Sequence, residues 1–468
     1  MSDCANFEEV ADTDRIGPPQ LLKNPLNQYF PGSGPITEQL GLTAPLSREA
    51  GYFRFGENLV LYGKTAAGTH SARNSNEDLQ DVSSLVEFCG KRILLPFDPN
   101  EVAINLCTES YISNGSPRLT KAVGNAVRRA YYACRPFLPL GFRSHLQKLY
   151  LRNWTSLTFP SWPVDTTVDR LMRSLIFLKL KAEGAEKIPF IWFWPDGARA
   201  ACVMTHDVEE EAGRDFCGAL MDLNDEFQIP ASFQIVPEVR YHVTPEYLAT
   251  IKHRGYEVNV QDLNHDGRLY WNLSEFKRRA VKINEYRQQF GAAGFRAAIL
   301  YRNPEWFHLL KFDYDMSIPN VAHLDPQRGG CCTVMPYFIG DMIELPLTTT
   351  QDHSIFHILH DYSLRLWNQQ IETILRHNGL ISFIVHPDYI IESRARKVYR
   401  DLLERLDQLR SRDNVWIAHP GEVSRWWRNR AEMKLVQEGS SWTVKGPDSE
   451  RARVGFARID GEQFVFEV

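Results

Sequence analysis

Residues 200–210 read AACVMTHDVEE: an unbroken apolar run that ends abruptly in Thr205, His206, Asp207, Val208 and Glu209. An apolar run of strand length without alternation fits a parallel strand covered on both faces. In parallel α/β architectures the working groups sit where such strands end. In extended chain, residues two apart point the same way, so Asp207 and Glu209 share a side. One of them can bind a metal while the other takes a proton from water. The plainer reading is a solvated acidic loop start, since Glu210 and Glu211 follow, and on this stretch alone the two readings stand level.

Working outward, the rhythm repeats. Helical spacing marks residues 213–227, 247–253, 274–290, 364–376 and 394–409. Apolar strand runs fall at 231–236, 256–260, 295–300, 380–385 and 415–418. Strands alternating with helices of this length predict βαβ units and a mainly parallel sheet or barrel. Upstream, residues 1–40 are polar and rich in Pro and Gly and are expected to be irregular. Residues 52–62 alternate like a strand pair. Residues 119–154 read as mainly helical, and 168–182 as an amphipathic helix whose apolar stripe packs on a core. Downstream of Trp426-Trp427, the segments WTVKG, ARVGFARI and EQFVFEV predict three short strands. The expected domains are an N-terminal region over 1–188, a barrel over 189–428 and a small β appendage over 429–468.

Three more strand ends carry ionisable groups. The run ending at Val260 continues Gln261, Asp262, Leu263, Asn264, His265, Asp266. Neutral imidazole is a common metal ligand, although a lone strand-end His is more often structural. Gly294-Phe295-Arg296 places a fixed cation that can hold a carboxylate ionised, or simply form a salt bridge. The run 380–385 ends in His386-Pro387-Asp388, a position suited to a general acid or base, or to a packed histidine.

Taken in order, T-x-D-x-E, then G-Y-E-V-x-V-x-x-x-N-H-D, then G-F-R, then F-x-Y-D-x-S over 312–317, then H-P-D resembles the polysaccharide deacetylase family, carbohydrate esterases with the NodB-type domain. The resemblance covers about 190–428. It implies an α/β fold with a deformed (β/α)7-type barrel, flanked here by a mixed, largely helical N-terminal region and the β appendage. It implies a hydrolase of carbohydrate metabolism that removes N- or O-acetyl groups from a sugar or glycan. It also implies one divalent metal, zinc by preference. Carried over by position, Asp207 is the catalytic base, Arg296 its brace, His386 the general acid and Asp315 the carboxylate that supports the acid. Glu209, His265 and Gln261 are the metal ligands. Two positions depart from the family pattern: Gln261 stands where a ligand histidine is expected, and Ala298 where a proline is. An amide oxygen is a weaker zinc donor than imidazole. A degenerate barrel that only binds carbohydrate or acts as a scaffold, with Trp271, Trp306 and Tyr389 near the strand ends, is therefore kept beside the enzyme reading.

Composition bounds the rest. The chain has 468 residues, a net charge of -5, 43% hydrophobic and 24% charged residues, which suits a soluble protein of two or three domains. That balance argues against nucleic acid as a partner, because phosphate binding needs a basic footprint. The basic stretches at 128–129 and 143–152 read as solvated faces. The start has neither a basic nor an apolar segment of a secretory signal, and no run of about 18 apolar residues occurs, so the expectation is a cytoplasmic protein without a membrane span. The eight scattered cysteines predict no disulfide framework, and the Cys331-Cys332 pair lacks ligand spacing. A homo-oligomer is kept open. A nucleophile hydrolase is disfavoured by the lack of G-x-S-x-G.

Overall fold

The computed structural model describes residues 25–34, 36–66, 71–114, 151, 153–460 and 463–468. The stretch 119–154 and the basic segments near 128 and 143 lie almost wholly outside these residues.

The centre of the molecule is a curled nine-stranded sheet. Its strands are β1 (Ala200–Val208), β2 (Ala231–Ile235), β3 (Glu257–Gln261), β4 (Gly294–Arg296), β5 (Tyr314–Asp315), β6 (Tyr337–Ile339), β7 (Met342–Glu344), β8 (Leu380–Ile384) and β9 (Val415–Ile417). They run in the order β6-β7-β5-β4-β3-β2-β1-β8, with β9 pairing to the start of β1. Every pairing is parallel except the β6/β7 hairpin. Beyond β7 the chain runs on to Thr348 and Thr349. There Thr349 N donates to Ser382 O at 3.3 Å and Thr348 Oγ1 to Leu380 O at 2.7 Å, which joins the far edge back to β8. The result is the deformed β/α barrel. All nine residues of β1 are buried, as its apolar sequence requires.

Helices cover the outside. They are α1 (Thr167–Glu183), α2 (Glu211–Glu226), α3 (Pro245–His253), α4 (Leu273–Phe290), α5 (Arg365–Arg376), α6 (Ser393–Arg412) and α7 (Pro420–Glu432). Their ends obey local chemistry. Thr244 and Asn272 accept hydrogen bonds from Tyr247 N and Glu275 N, capping α3 and α4. The apolar stripe of α1 is buried at Leu171, Met172, Leu175, Ile176 and Leu180.

Several elements differ from the sequence expectation. The run 295–300 is a strand only to Arg296, after which Ala298–Leu300 form a 3-10 turn with Ile299 at φ 59°. Apolar content alone does not distinguish a strand from a buried turn. The strands β5, β6 and β7 are too short to leave a period in the sequence. Among the residues before 40, Pro25–Tyr29 and Ile36–Gln39 are short helices rather than irregular chain. The strand pair at 52–62 forms as Gly51–Arg54 against Val60–Gly63.

Two features tie the flanks to the barrel. Lys187–Ile191 pairs with Val454–Asp460, which in turn pairs with Gln463–Glu467, so the chain just before β1 and the chain end share one sheet. A further hairpin joins Lys434–Glu438 and Ser441–Lys445. The N-terminal region grips the connections before and after β5. Buried Glu109 pairs with buried Arg302 and accepts from Gly330 N at 2.6 Å, while Tyr111 donates to Gly330 O at 2.7 Å. No helix among the described residues is long and apolar enough to cross a membrane. Cys89 is disulfide-bonded, whereas Cys107, Cys202, Cys217, Cys331 and Cys332 are free and buried. Burial pushes the Cys331 and Cys332 thiols well up, and among the described residues no further His, Cys, Asp or Glu joins them as a ligand group.

Candidate active site

The extended end of β1 turns Thr205, Asp207 and Glu209 to one side and His206 to the other. His206 faces the helical layer, where its Nδ1 meets Val385 O at 3.1 Å and its Nε2 meets Asn224 Nδ2 at 3.0 Å. Burial lowers it to about 4, so it is a neutral packing residue.

Asp207 and Arg296 form a buried pair: Arg296 Nη1 donates to Asp207 Oδ1 at 2.7 Å and to Thr205 Oγ1 at 2.8 Å, and Nε donates to Met316 O at 3.1 Å. Burial raises the Asp207 carboxyl, and Arg296 and His386 offset only part of that rise. Glu209 is the most open member of the group, with 18% of its side chain exposed. Burial alone would raise it, but His265 and His386 outweigh burial and hold it well below the ordinary carboxylate range.

His386 follows β8. Its Nδ1 lies 2.7 Å from Asp352 Oδ1, its backbone N donates to Asp352 Oδ2 at 2.7 Å, and its Nε2 stands 3.5 Å from Glu209 Oε1. Burial would lower this imidazole, yet Asp352 and Glu209 raise it well above its ordinary value, so the ring is cationic. The brace of His386 is therefore Asp352. Asp315, expected in that role, lies deeper in the barrel: it accepts from Ser317 N at 2.8 Å and Ser317 Oγ at 2.9 Å and sits in register with Glu344. Burial lifts Asp315 to about 6 and Glu344 well above the carboxylate range, so this adjacent pair retains a proton. Asp352 carried no sequence signal, because its segment, TTTQDHS over 348–354, belongs to no strand run.

The structure brings Gln261 and His265 to the same place. Gln261 Nε2 donates to Asp207 Oδ2 at 3.1 Å and to Glu209 Oε1 at 3.0 Å, while its Oε1 is buried without a partner. His265, in a left-handed backbone conformation, sets Nε2 2.7 Å from Glu209 Oε1, off the line of a straight hydrogen bond. Its Nδ1 receives Arg240 Nη2 at 3.0 Å. Of the aromatics near the strand ends, Tyr389 packs at 4.8 Å from the His386 ring. Trp306 stacks on Tyr270, and Arg268 lies over the Trp271 ring.

Among the described residues, Asp207, Glu209 and His386 are the one group whose ligand atoms lie within 4.8 Å of one another, a spacing that a cation could bridge. The donor chemistry does not fit the expected zinc set. The amide group that faces both carboxylates is an N–H donor, with no lone pair for a metal. Arg240 can only donate, so His265 Nδ1 accepts and the ring proton of the neutral form sits on Nε2, the atom a metal would need. Neither Gln261 nor His265 is arranged as a ligand.

No family model matches the sequence, and no curated protein does. Solved structures with a related outline were found. One described as a polysaccharide deacetylase of Mycobacterium smegmatis is 19% identical over 51% of this chain and 93% of its own, with a TM-score of 0.42. An allantoinase, Puue, is 13% identical over 50% of this chain and 92% of its own, at 0.40. One described as a polysaccharide deacetylase of Pseudomonas aeruginosa PAO1 is 14% identical over 50% of this chain and 93% of its own, at 0.41. Likeness at this level carries nothing about the chemistry of the site.

Proposed function

We propose that the barrel hydrolyses an amide or ester, of the kind that links an acetyl group to a sugar or glycan. The observation that carries this reading is the clustering of a base and an acid within 4.8 Å of a shared carboxylate, each with its own buried ionic brace. A proton acceptor and a proton donor held side by side, each oriented by its own partner, are what acid–base hydrolysis needs.

Asp207, oriented by Arg296, would take a proton from a water as that water attacks the carbonyl carbon. The Nε2–H of His265 is the donor at hand for the oxyanion that forms, since both N–H groups of Gln261 are engaged by Asp207 and Glu209. His386 would deliver its proton to the departing nitrogen or oxygen, without which an amine leaves very slowly. Asp352 keeps that proton on His386 until it is used. The products are a free carboxylate and an amine or alcohol.

The test is turnover on a panel of N- and O-acetylated sugars, with cyclic amides alongside. Asp207→Asn and His386→Ala are each expected to reduce kcat about 10²–10⁴-fold. Absence of turnover across the panel by folded wild type would reject the proposal. One observation favours a second reading, a barrel that binds carbohydrate without cleaving it: Gln261 ties both carboxylates to itself. Saturable binding of a sugar with no product would select that reading.

A further inference from the structure

We infer that this centre works without a resident metal ion, because Gln261 turns N–H groups toward the two carboxylates and Arg240 holds the His265 ring with its proton on Nε2, the atom that would ligate. The inference rests on the proposed site but not on its turnover.

Gln261 occupies the gap between the carboxylates. Its Nε2 reaches Asp207 Oδ2 at 3.1 Å and Glu209 Oε1 at 3.0 Å, so the two amide hydrogens supply the positive end that a metal would otherwise supply. Turning the amide over would set Oε1 against two carboxylate oxygens at about those distances, three acceptors with no hydrogen among them. Without a cation between them, the amide is therefore held with its N–H groups toward both carboxylates.

Arg240 acts on the other side. Its Nη1 is anchored on Glu210 Oε1 at 2.6 Å, and its Nη2 reaches His265 Nδ1 at 3.0 Å and His265 O at 3.3 Å. Metal-binding histidines have the reverse arrangement, with the second ring nitrogen donating to a carboxylate or carbonyl. The neighbouring Val239 is β-branched, 84% exposed and at φ 76°. That conformation is costly for such a side chain and persists only where the surroundings impose it. Arg240 itself is fixed by its contacts with Glu210 and His265.

The experiment is metal analysis of the full chain after incubation with excess Zn2+ or Co2+ and desalting, with visible d–d absorption as the readout for Co2+. Wild type is expected to retain less than about 0.1 equivalent at this centre, and Gln261→His/Arg240→Met about one equivalent, the latter with a tetrahedral Co2+ spectrum. Roughly one equivalent in wild type that Glu209→Ala removes would overturn the inference. So would failure of the folded double variant to bind, since Gln261 and Arg240 would then not be the excluding groups. The wild-type measurement needs no variant to fold, and metal content is read whether or not a substrate is ever found.

Discussion

His386 depends on one carboxylate for its charge. Asp352 holds both its Nδ1 and its backbone N, at 2.7 Å each, and is itself fully buried. Replacing it by Asn removes the negative charge and leaves burial, which lowers an imidazole, less opposed. Asp352→Asn is therefore expected to shift the His386 titration downward, read by NMR of the imidazole resonances. Below the new value the ring still protonates; above it the ring is neutral and the acid is lost. If turnover is found, the alkaline limb of kcat should move to lower pH by the same amount, with KM little changed. An unmoved His386 titration would show that Glu209, 3.5 Å away, carries the effect instead.

At the scale of elements, the loop after β5 is fastened to the N-terminal region and depends on one glycine. Gly330 lies at φ 142°, and a Cβ there would stand 2.1 Å from Asn320 O. That clash is with backbone, and Asn320 is itself tied to the N-terminal region through Asp165 N at 2.8 Å and Asp165 O at 2.7 Å. Gly330→Ala is expected to destabilise the fold by roughly 2–4 kcal/mol, read from the midpoint of chemical denaturation. A loss below about 0.5 kcal/mol would mean that the loop relaxes freely and does not lock the two parts together.

At the scale of the whole molecule, the N-terminal region is fastened to the barrel through buried charge. Glu109 and Arg302 are both nearly inaccessible, and Arg302 has a further partner in Leu300 O at 2.8 Å. A buried pair adds little net stability, but breaking it strands the remaining charge. Glu109→Leu should cost about 3–5 kcal/mol, whereas replacing both members by apolar residues should cost much less. A double variant no more stable than the single one would show that Arg302 does not need its partner. On the opposite side, the fully buried guanidinium of Arg430 donates to the carbonyls of Trp192, Ile191, Tyr29 and Gln28, and it lies over the rings of Phe193 and Trp427. Thus the chain before the barrel, its first aromatic run and its last helix converge on one side chain.

What the sequence determined by itself is what repeats locally. Hydrophobic period and helix-end residues are properties of neighbours in the chain, so the βαβ rhythm and a mainly parallel sheet were legible in it outside the short strands β5, β6 and β7, while the barrel was what the family resemblance implied. Because parallel strands align their carboxyl ends, that reading also brought Asp207, Glu209, Gln261, His265, Arg296 and His386 toward one place. What only the tertiary structure decided are the pairings between residues far apart in the chain. Asp352, not Asp315, meets His386, and Arg240 meets His265. Lys187–Ile191 joins the chain end rather than the barrel sheet. Such contacts have no spacing to read. Which nitrogen of His265 carries its proton, and which face of the Gln261 amide meets the carboxylates, follow from partners that only folding brings within hydrogen-bond reach.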